Sequence, residues 1–216
     1  MYSHLKGGHP VEQLSAVSCR TFAEALASRS SVPGGGGASA LTGALGAALC
    51  SMVGEFTAGK PKYAAAEPEV RALMAEAETL RESLLRLIDA DAEAFAPLSR
   101  AYAIPKDDPS RAETLEKCLR AAAAPPMEML RLSCRAIRLH EAMLEKGSAM
   151  MLSDVGTGVV LCWSAMYGAW LNVKVNTKPM ADRDYAEGLN READALAEEN
   201  WKIAEAVYES VMRRYS

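Results

Sequence analysis

Two stretches of this 216-residue chain carry residue types that could do chemistry. The first is Ser31-Val-Pro-Gly-Gly-Gly-Gly37, which runs into Ala, Gly, Ser and Leu at helical spacing up to Cys50. A helix N-terminus leaves its first N–H groups unpaired and carries the positive end of the helix dipole. Glycines at that point keep the groups uncovered for an anionic or carbonyl-bearing ligand. The small residues Ala40, Gly43, Ala44, Ala47 and Ala48 would equally let a second helix lie close, in this subunit or a partner, and the two uses are compatible. The second stretch holds Asp91. It falls on an apolar stripe of Val70, Leu73, Ala77, Leu80, Leu84, Leu87, Ile88, Phe95 and Leu98, whereas Asp89 lies about 200° away around the same helix. A carboxylate on an apolar face must be paired or hydrogen-bonded, and burial raises its pKa, as a general acid or base requires. The sequence leaves open whether Asp91 does this or caps a neighbouring helix.

Other polar residues have plain structural uses. Lys106 sits between two prolines in the loop Tyr102–Pro109, where a solvated lysine is expected; Ser153 and Asp154 suit an N-cap and a first-turn acid. Asn172, Asn176 and Asp182 fall in a segment without clear helical period, where asparagines make turns.

Several chemistries are excluded by spacing. Gly35-x-Gly37-x-x-Ala40 fits the loose dinucleotide fingerprint but no strand precedes it, and Gly54-Glu-Phe-Thr-Ala-Gly-Lys60 puts Pro61 where a phosphate-binding loop needs Ser or Thr. His4, His9 and His140 are far apart and no HExxH or Cys/His cluster occurs, so no metal is expected. The formal charge of -4, with acids and bases interspersed, suggests neither a nucleic-acid surface nor a membrane patch. Five scattered cysteines fit reduced thiols in a cytoplasmic protein. The N-terminus lacks a signal-peptide core, and the apolar run Ala38–Val53 is expected to be too short to span a bilayer.

The elements that must position these residues are all helical. Periodicity predicts helices over Val11–Ser28, opened by Pro10; Gly36–Ala58; Ala65–Ser99; Ser110–Lys146, bent or restarted at Pro125-Pro126; a fifth from Ser153; and Tyr185–Arg214. The fifth has a stripe of Val155, Val159, Cys162, Met166 and Trp170 and a small face of Gly158, Ala165 and Ala169, against which the glycine-rich helix could pack. The expectation is an all-α, single-domain bundle of long helices over residues 1–216.

Four motifs in one order then resemble the formiminotransferase-cyclodeaminase C-terminal domain family. They are Pro33-Gly-Gly-Gly36 with Ala40-Leu41 and Gly43–Ala48; Ile88-Asp-Ala-Asp-Ala-Glu-Ala-Phe95; Ile104-Pro-Lys106; and Ser153-Asp154 with Asn172-Val173 and Asn176. The resemblance runs from about Phe22 to Asp182. It implies a homodimeric, cytoplasmic enzyme of folate one-carbon metabolism, without a metal, whose substrate is a tetrahydrofolate derivative. The activity implied is formiminotetrahydrofolate cyclodeaminase, with methenyltetrahydrofolate cyclohydrolase or a non-catalytic folate-binding dimer as alternatives. A formiminotransferase would be a separate protein, since the chain has no room for that domain. Residue by residue, it implies catalytic roles for Asp91, Lys106 and Asp154 and substrate binding by Pro33, Gly34, Gly35, Gly36, Asn172 and Asn176. Two positions depart from the family pattern: Gly37 where Ser is common, and Ser148 after Gly147 where Asn is common, each removing a possible ligand hydrogen bond.

Overall fold

The computed structural model of the chain describes residues 13–216. These form α1 (Cys19–Leu26), α2 (Gly35–Glu55), α3 (Glu67–Tyr102), α4 (Arg111–Lys146), α5 (Leu152–Thr177) and α6 (Arg183–Met212), with three short 3-10 turns and no strand among the described residues. The expected opening by Pro10, and His4 and His9, lie outside the described residues. The predicted first helix is interrupted. Ser18 accepts the Thr21 N–H at 3.0 Å and restarts the chain as α1, after a 3-10 turn at Leu14–Ala16. That turn is tied to α3 by Asp89, which accepts from the Ser15 hydroxyl at 2.5 Å. Asp89 therefore anchors the N-terminal segment on the far side of α3 from Asp91.

α2 and α5 are the inner pair. They run antiparallel with their small faces together, because only hydrogen or methyl groups fit between the backbones. A Cβ on Gly43 would sit 3.2 Å from Ala165 Cβ, and one on Gly46 would sit 3.0 Å from the Gly158 carbonyl; Gly168 is pressed against Ser39. The expected pairing of the two small-residue helices is thus present, and it fixes their register: Gly35 is level with Asn172, Ser39 with Gly168, Gly43 with Ala165 and Gly46 with Cys162. On length and composition α2 and Ala149–Thr177 would each suffice to cross a bilayer, which corrects the expectation, drawn from the shorter run ending at Val53, of a segment too short to span one. Half of each such window is buried inside the bundle, where its apolar character serves this seam.

α4 lies behind the pair, with α3 flanking α2 and α6 flanking α5. The core is filled by Leu80, Leu84, Ile88, Met129, Leu130, Ile137 and Met166. α4 stays one helix through Pro125 and Pro126, which are both buried; no restart occurs there. α3 and α4 extend beyond the start of α2 and close a second apolar cluster with Met180 and Ala186, around Leu98 and Leu119. Asn172 and Asn176, expected in a turn, are helical instead and lie in the last turns of α5. Each amide is satisfied by a carbonyl one turn back, which removes its usual competition with helix hydrogen bonding. Ser153 is inside α5 and not its cap, while Asp154 is the first-turn acid expected.

Candidate functional site

The first intrahelical bond of α2 is donated by Ala38 to the Gly34 carbonyl at 3.0 Å, so the N–H groups of Gly35, Gly36 and Gly37 have no partner within the helix. Gly34 is the N-cap and has no side chain to cover them. The carboxylate of Asp91 reaches across from α3 to this end of α2, where the Gly37 N–H favours its charged form. It lies so close that a Cβ on Gly36 would be 2.6 Å from Asp91 Cγ. Gly36 is thus required by close approach. Asp91 thus meets the end of a neighbouring helix, and it also faces a cavity.

That cavity measures about 200 Å³ and is lined by Ser31, Val32, Gly34, Gly35, Gly36, Asp91, Phe95, Ala122, Asn172, Val175 and Asn176. Among the described residues, Asp91 is the only ionisable one that lines it. Burial pushes the Asp91 carboxyl above the usual carboxylate range, and the Gly37 N–H only partly offsets this. The two asparagines have fixed amides. Asn176 Nδ2 donates to Ala122 O at 3.0 Å and to Asn172 O at 3.1 Å, and Asn172 Nδ2 donates to Gly168 O at 2.7 Å. Asn176 uses both amide hydrogens on backbone, so its Oδ1 is what it can offer a ligand. The cavity therefore pairs helix-end donors from Gly35 and Gly36 with amide and carboxylate acceptors on the opposite wall. Such a site can hold a polar ligand and move a proton at Asp91.

Of the residues expected at the site, the structure brings together Gly34, Gly35, Gly36, Asp91, Asn172 and Asn176. Pro33 does not line the cavity; it supports the turn from beneath, its Cβ 3.3 Å from where a Gly37 Cβ would stand. Lys106 is exposed on the loop after α3, beyond the eleven helical residues from Asp91 to Tyr102 that span about 16 Å. Asp154 is at the other end of α5, 18 residues or five full turns from Asn172, about 27 Å away. The two departures also fall outside the cavity. A side chain at 37 would point at Pro33, Ile88 and Phe22, and buried Ser148, whose N–H donates to Thr57 Oγ1 at 2.7 Å, belongs to the Asp154 end. Neither removes a hydrogen bond from this cavity. Reading the sequence missed Ser31, Val32, Phe95, Ala122 and Val175 as lining residues; Phe95 was detectable, being one turn from Asp91 on the same stripe. Among the described residues no group of three or more His, Cys, Asp or Glu side chains could hold a metal ion.

The profile of the Formiminotransferase-cyclodeaminase family matches residues 18–195. The methenyltetrahydrofolate cyclohydrolase of Methylorubrum extorquens is 38% identical over 195 residues, which cover 88% of this chain and 94% of that protein. The formimidoyltransferase-cyclodeaminase of Mus musculus is 32% identical over 194 residues, 88% of this chain but 36% of the mouse protein. A crystal structure of formiminotetrahydrofolate cyclodeaminase from Thermotoga maritima superposes with a TM-score of 0.81 at 27% identity, covering 92% of this chain and 99% of that one.

Proposed function

The chain belongs to the formiminotransferase-cyclodeaminase family, and from that premise we propose that it is a folate one-carbon enzyme. In this reading it converts 5-formiminotetrahydrofolate to 5,10-methenyltetrahydrofolate and ammonia, with Asp91 carrying the proton. One observation supports the assignment above others: a carboxyl raised in pKa is held at the open N-terminus of α2, facing a cavity with no cation among its described lining residues. In the reaction, N10 of the cofactor attacks the formimino carbon and forms a tetrahedral intermediate. Asp91 takes the proton from N10 and delivers it to the amino nitrogen, whose bond to carbon breaks as ammonia leaves and the methenyl bridge closes. One group can serve both steps because its pKa lies nearer neutrality, a contribution of about 10²–10⁴-fold. The Gly35 and Gly36 N–H groups suit a carbonyl or carboxylate of the folate, and Asn172 and Asn176 suit its N–H groups. Lys106, exposed on the loop after α3, would in this reading suit the carboxylate tail of the folate. The formimino group would be supplied by a separate transferase.

A second reading, hydrolysis of the methenyl bridge to 10-formyltetrahydrofolate, is favoured by the 38% identity to a cyclohydrolase of nearly this length. Water would replace the amine, and Asp91 would take its proton. The test is to supply 5-formiminotetrahydrofolate and follow ammonia together with methenyl absorbance, then supply methenyltetrahydrofolate alone. Ammonia release faster than in buffer supports the first reading; accelerated loss of methenyl absorbance without it supports the second. Inactivity on both removes the enzyme assignment.

A further inference from the structure

Among the described residues, α4 contributes one to the cavity wall, Ala122. Ala122 is 3% exposed, so its carbonyl has little access to water and needs a protein donor. In an α-helix that donor is the N–H four residues on, and in a 3-10 turn it is the N–H three residues on. Both positions are prolines here, Pro126 and Pro125, which have no N–H. The helix nonetheless runs unbroken from Arg111 to Lys146. The donor that meets the orphaned carbonyl comes from α5: Asn176 Nδ2 donates to Ala122 O at 3.0 Å. Pro125 frees the carbonyl of Ala121 in the same way, but Ala121 is exposed and water can serve it.

This contact sets the sense of the Asn176 amide. Its other Nδ2 hydrogen goes to Asn172 O at 3.1 Å, so both neighbours are acceptors, and a flipped amide would turn its oxygen onto two carbonyls. Without the Ala122 carbonyl only one acceptor remains, and the side chain is free to turn. We propose that Pro125 and Pro126 are positioning residues for the candidate site: they withhold the Ala122 carbonyl from the hydrogen-bond ladder of α4, and that carbonyl then holds Asn176 with Oδ1 as an acceptor of fixed sense. A ligand group that meets Asn176 must accordingly donate a hydrogen bond, whereas one that meets the Gly35 and Gly36 N–H groups must accept. A freely turning amide would serve either kind of group; a held one rejects an acceptor. For the identity of the ligand the inference rests on the folate reading above, and for the positioning it rests on the hydrogen bonds alone.

The experiment compares Pro126→Ala, Pro125→Ala, Asn176→Ala and the double variant Pro126→Ala/Asn176→Ala. Removing a proline from a helix interior relieves the helix, so the fold should persist, as read by circular dichroism. Pro126→Ala puts an N–H four residues after Ala122 and draws its carbonyl back into the ladder. KM for 5-formimino- or methenyltetrahydrofolate should rise about three- to tenfold, the worth of one neutral hydrogen bond, with kcat nearly unchanged. Pro125→Ala should keep the wild-type KM, because its new N–H meets the Ala121 carbonyl. Both prolines are buried, so both changes remove packing and the difference between them isolates the Ala122 carbonyl. In the Asn176→Ala background Pro126→Ala should add no further loss. A wild-type KM in Pro126→Ala, or the same loss again in the Asn176→Ala background, overturns the proposal. The second measurement needs no turnover. The side-chain amide protons of Asn176, identified in NMR spectra by their absence in Asn176→Ala, should exchange with water about three- to tenfold faster in Pro126→Ala than in the wild type; unchanged exchange overturns the positioning. A wild-type protein inactive on both folates would remove the folate reading, and the amide exchange would still decide whether the prolines hold Asn176.

Discussion

Two carboxylates in this molecule meet the N-terminus of a helix, with opposite electrostatic outcomes. Asp182 is the N-cap of α6. It accepts the Tyr185 N–H at 3.0 Å, is ion-paired with Arg120 at 2.5 Å and is exposed, and the Tyr185 N–H and Arg120 together hold its carboxyl below the usual range. Asp91 meets the N-terminus of α2 from another helix. It has no cation, is partly buried, and is pushed the other way by burial despite the Gly37 N–H. A helix end alone thus does not decide a carboxylate's chemistry. Asp182 stays ionised and serves structure, while Asp91 holds its proton closer to neutral pH, beside a cavity.

The largest expected effect tests that contrast directly. Asp91→Asn should lower kcat by about 10²–10⁴-fold with folate binding mostly kept, as read by turnover and by titration with the product. The same change should stabilise the fold at neutral pH relative to wild type. A carboxyl whose folded pKa is raised favours folding fully only below its unfolded pKa, and this benefit is lost as pH rises through the folded value. The stability gain of Asp91→Asn, measured by urea unfolding, should therefore grow from pH 4 to pH 7. Next in size is Gly36→Ala, whose methyl would overlap the Asp91 carboxylate. Displacing Asp91 should cost at least about tenfold in kcat/KM, with about 1–3 kcal/mol of stability lost to overpacking. An unimpaired Gly36→Ala enzyme would mean that the close approach has no part in turnover.

The legibility of the two ends differs for the same reason. The helices, the α2–α5 seam and Asp91 could be read from the sequence because glycine spacing and an acid on an apolar stripe are local patterns. Asn172 and Asn176 read as turn residues because amides favour turns; what keeps them helical is hydrogen bonding to Gly168, Asn172 and, across to α4, Ala122. Val175 and Ala122 have no chemical signature and line the cavity only through the packing of α4 and α5. Motif order placed Lys106 and Asp154 with Asp91, but order along the chain says nothing about the five helical turns between Asp154 and Asn172.

His140 sharpens the comparison by separating burial from access. It is fully buried on α4 against Gly158, with Nε2 2.9 Å from the Gly46 carbonyl, and burial lowers its pKa to about 4. The unfolded chain binds the extra proton between about pH 6.5 and 4, so stability present above pH 6.5 is lost as pH falls through that window. About 2 kcal/mol should disappear between pH 7.5 and pH 5 in urea unfolding, and less in His140→Gln. Turnover at neutral pH should barely change in that variant, because the imidazole does not line the cavity beside Asp91. A loss of activity without a loss of stability would make burial by itself, and not burial beside a cavity, the mark of a functional group here.

The smallest effect is expected at Asp182. Asp182→Asn keeps an acceptor for the Tyr185 N–H, since asparagine caps helices about as well as aspartate. It removes the charge facing Arg120, which still donates from Nε to Glu116 Oε1 at 3.0 Å. An exposed pair of this kind contributes little, and salt screens it. The variant should therefore show a slight fall in Tm at low ionic strength that vanishes at high salt, with turnover unchanged. The contrast with Asp91→Asn would then isolate what the α2 terminus adds: the same chemical substitution, at the same kind of helix end, removes catalysis only where the carboxylate is desolvated and open to a ligand. If Asp182→Asn instead lowered turnover at high salt, where its ion pair is already screened, the α5–α6 corner would have to reach the reacting groups. The division between a structural and a reactive acid would then fail.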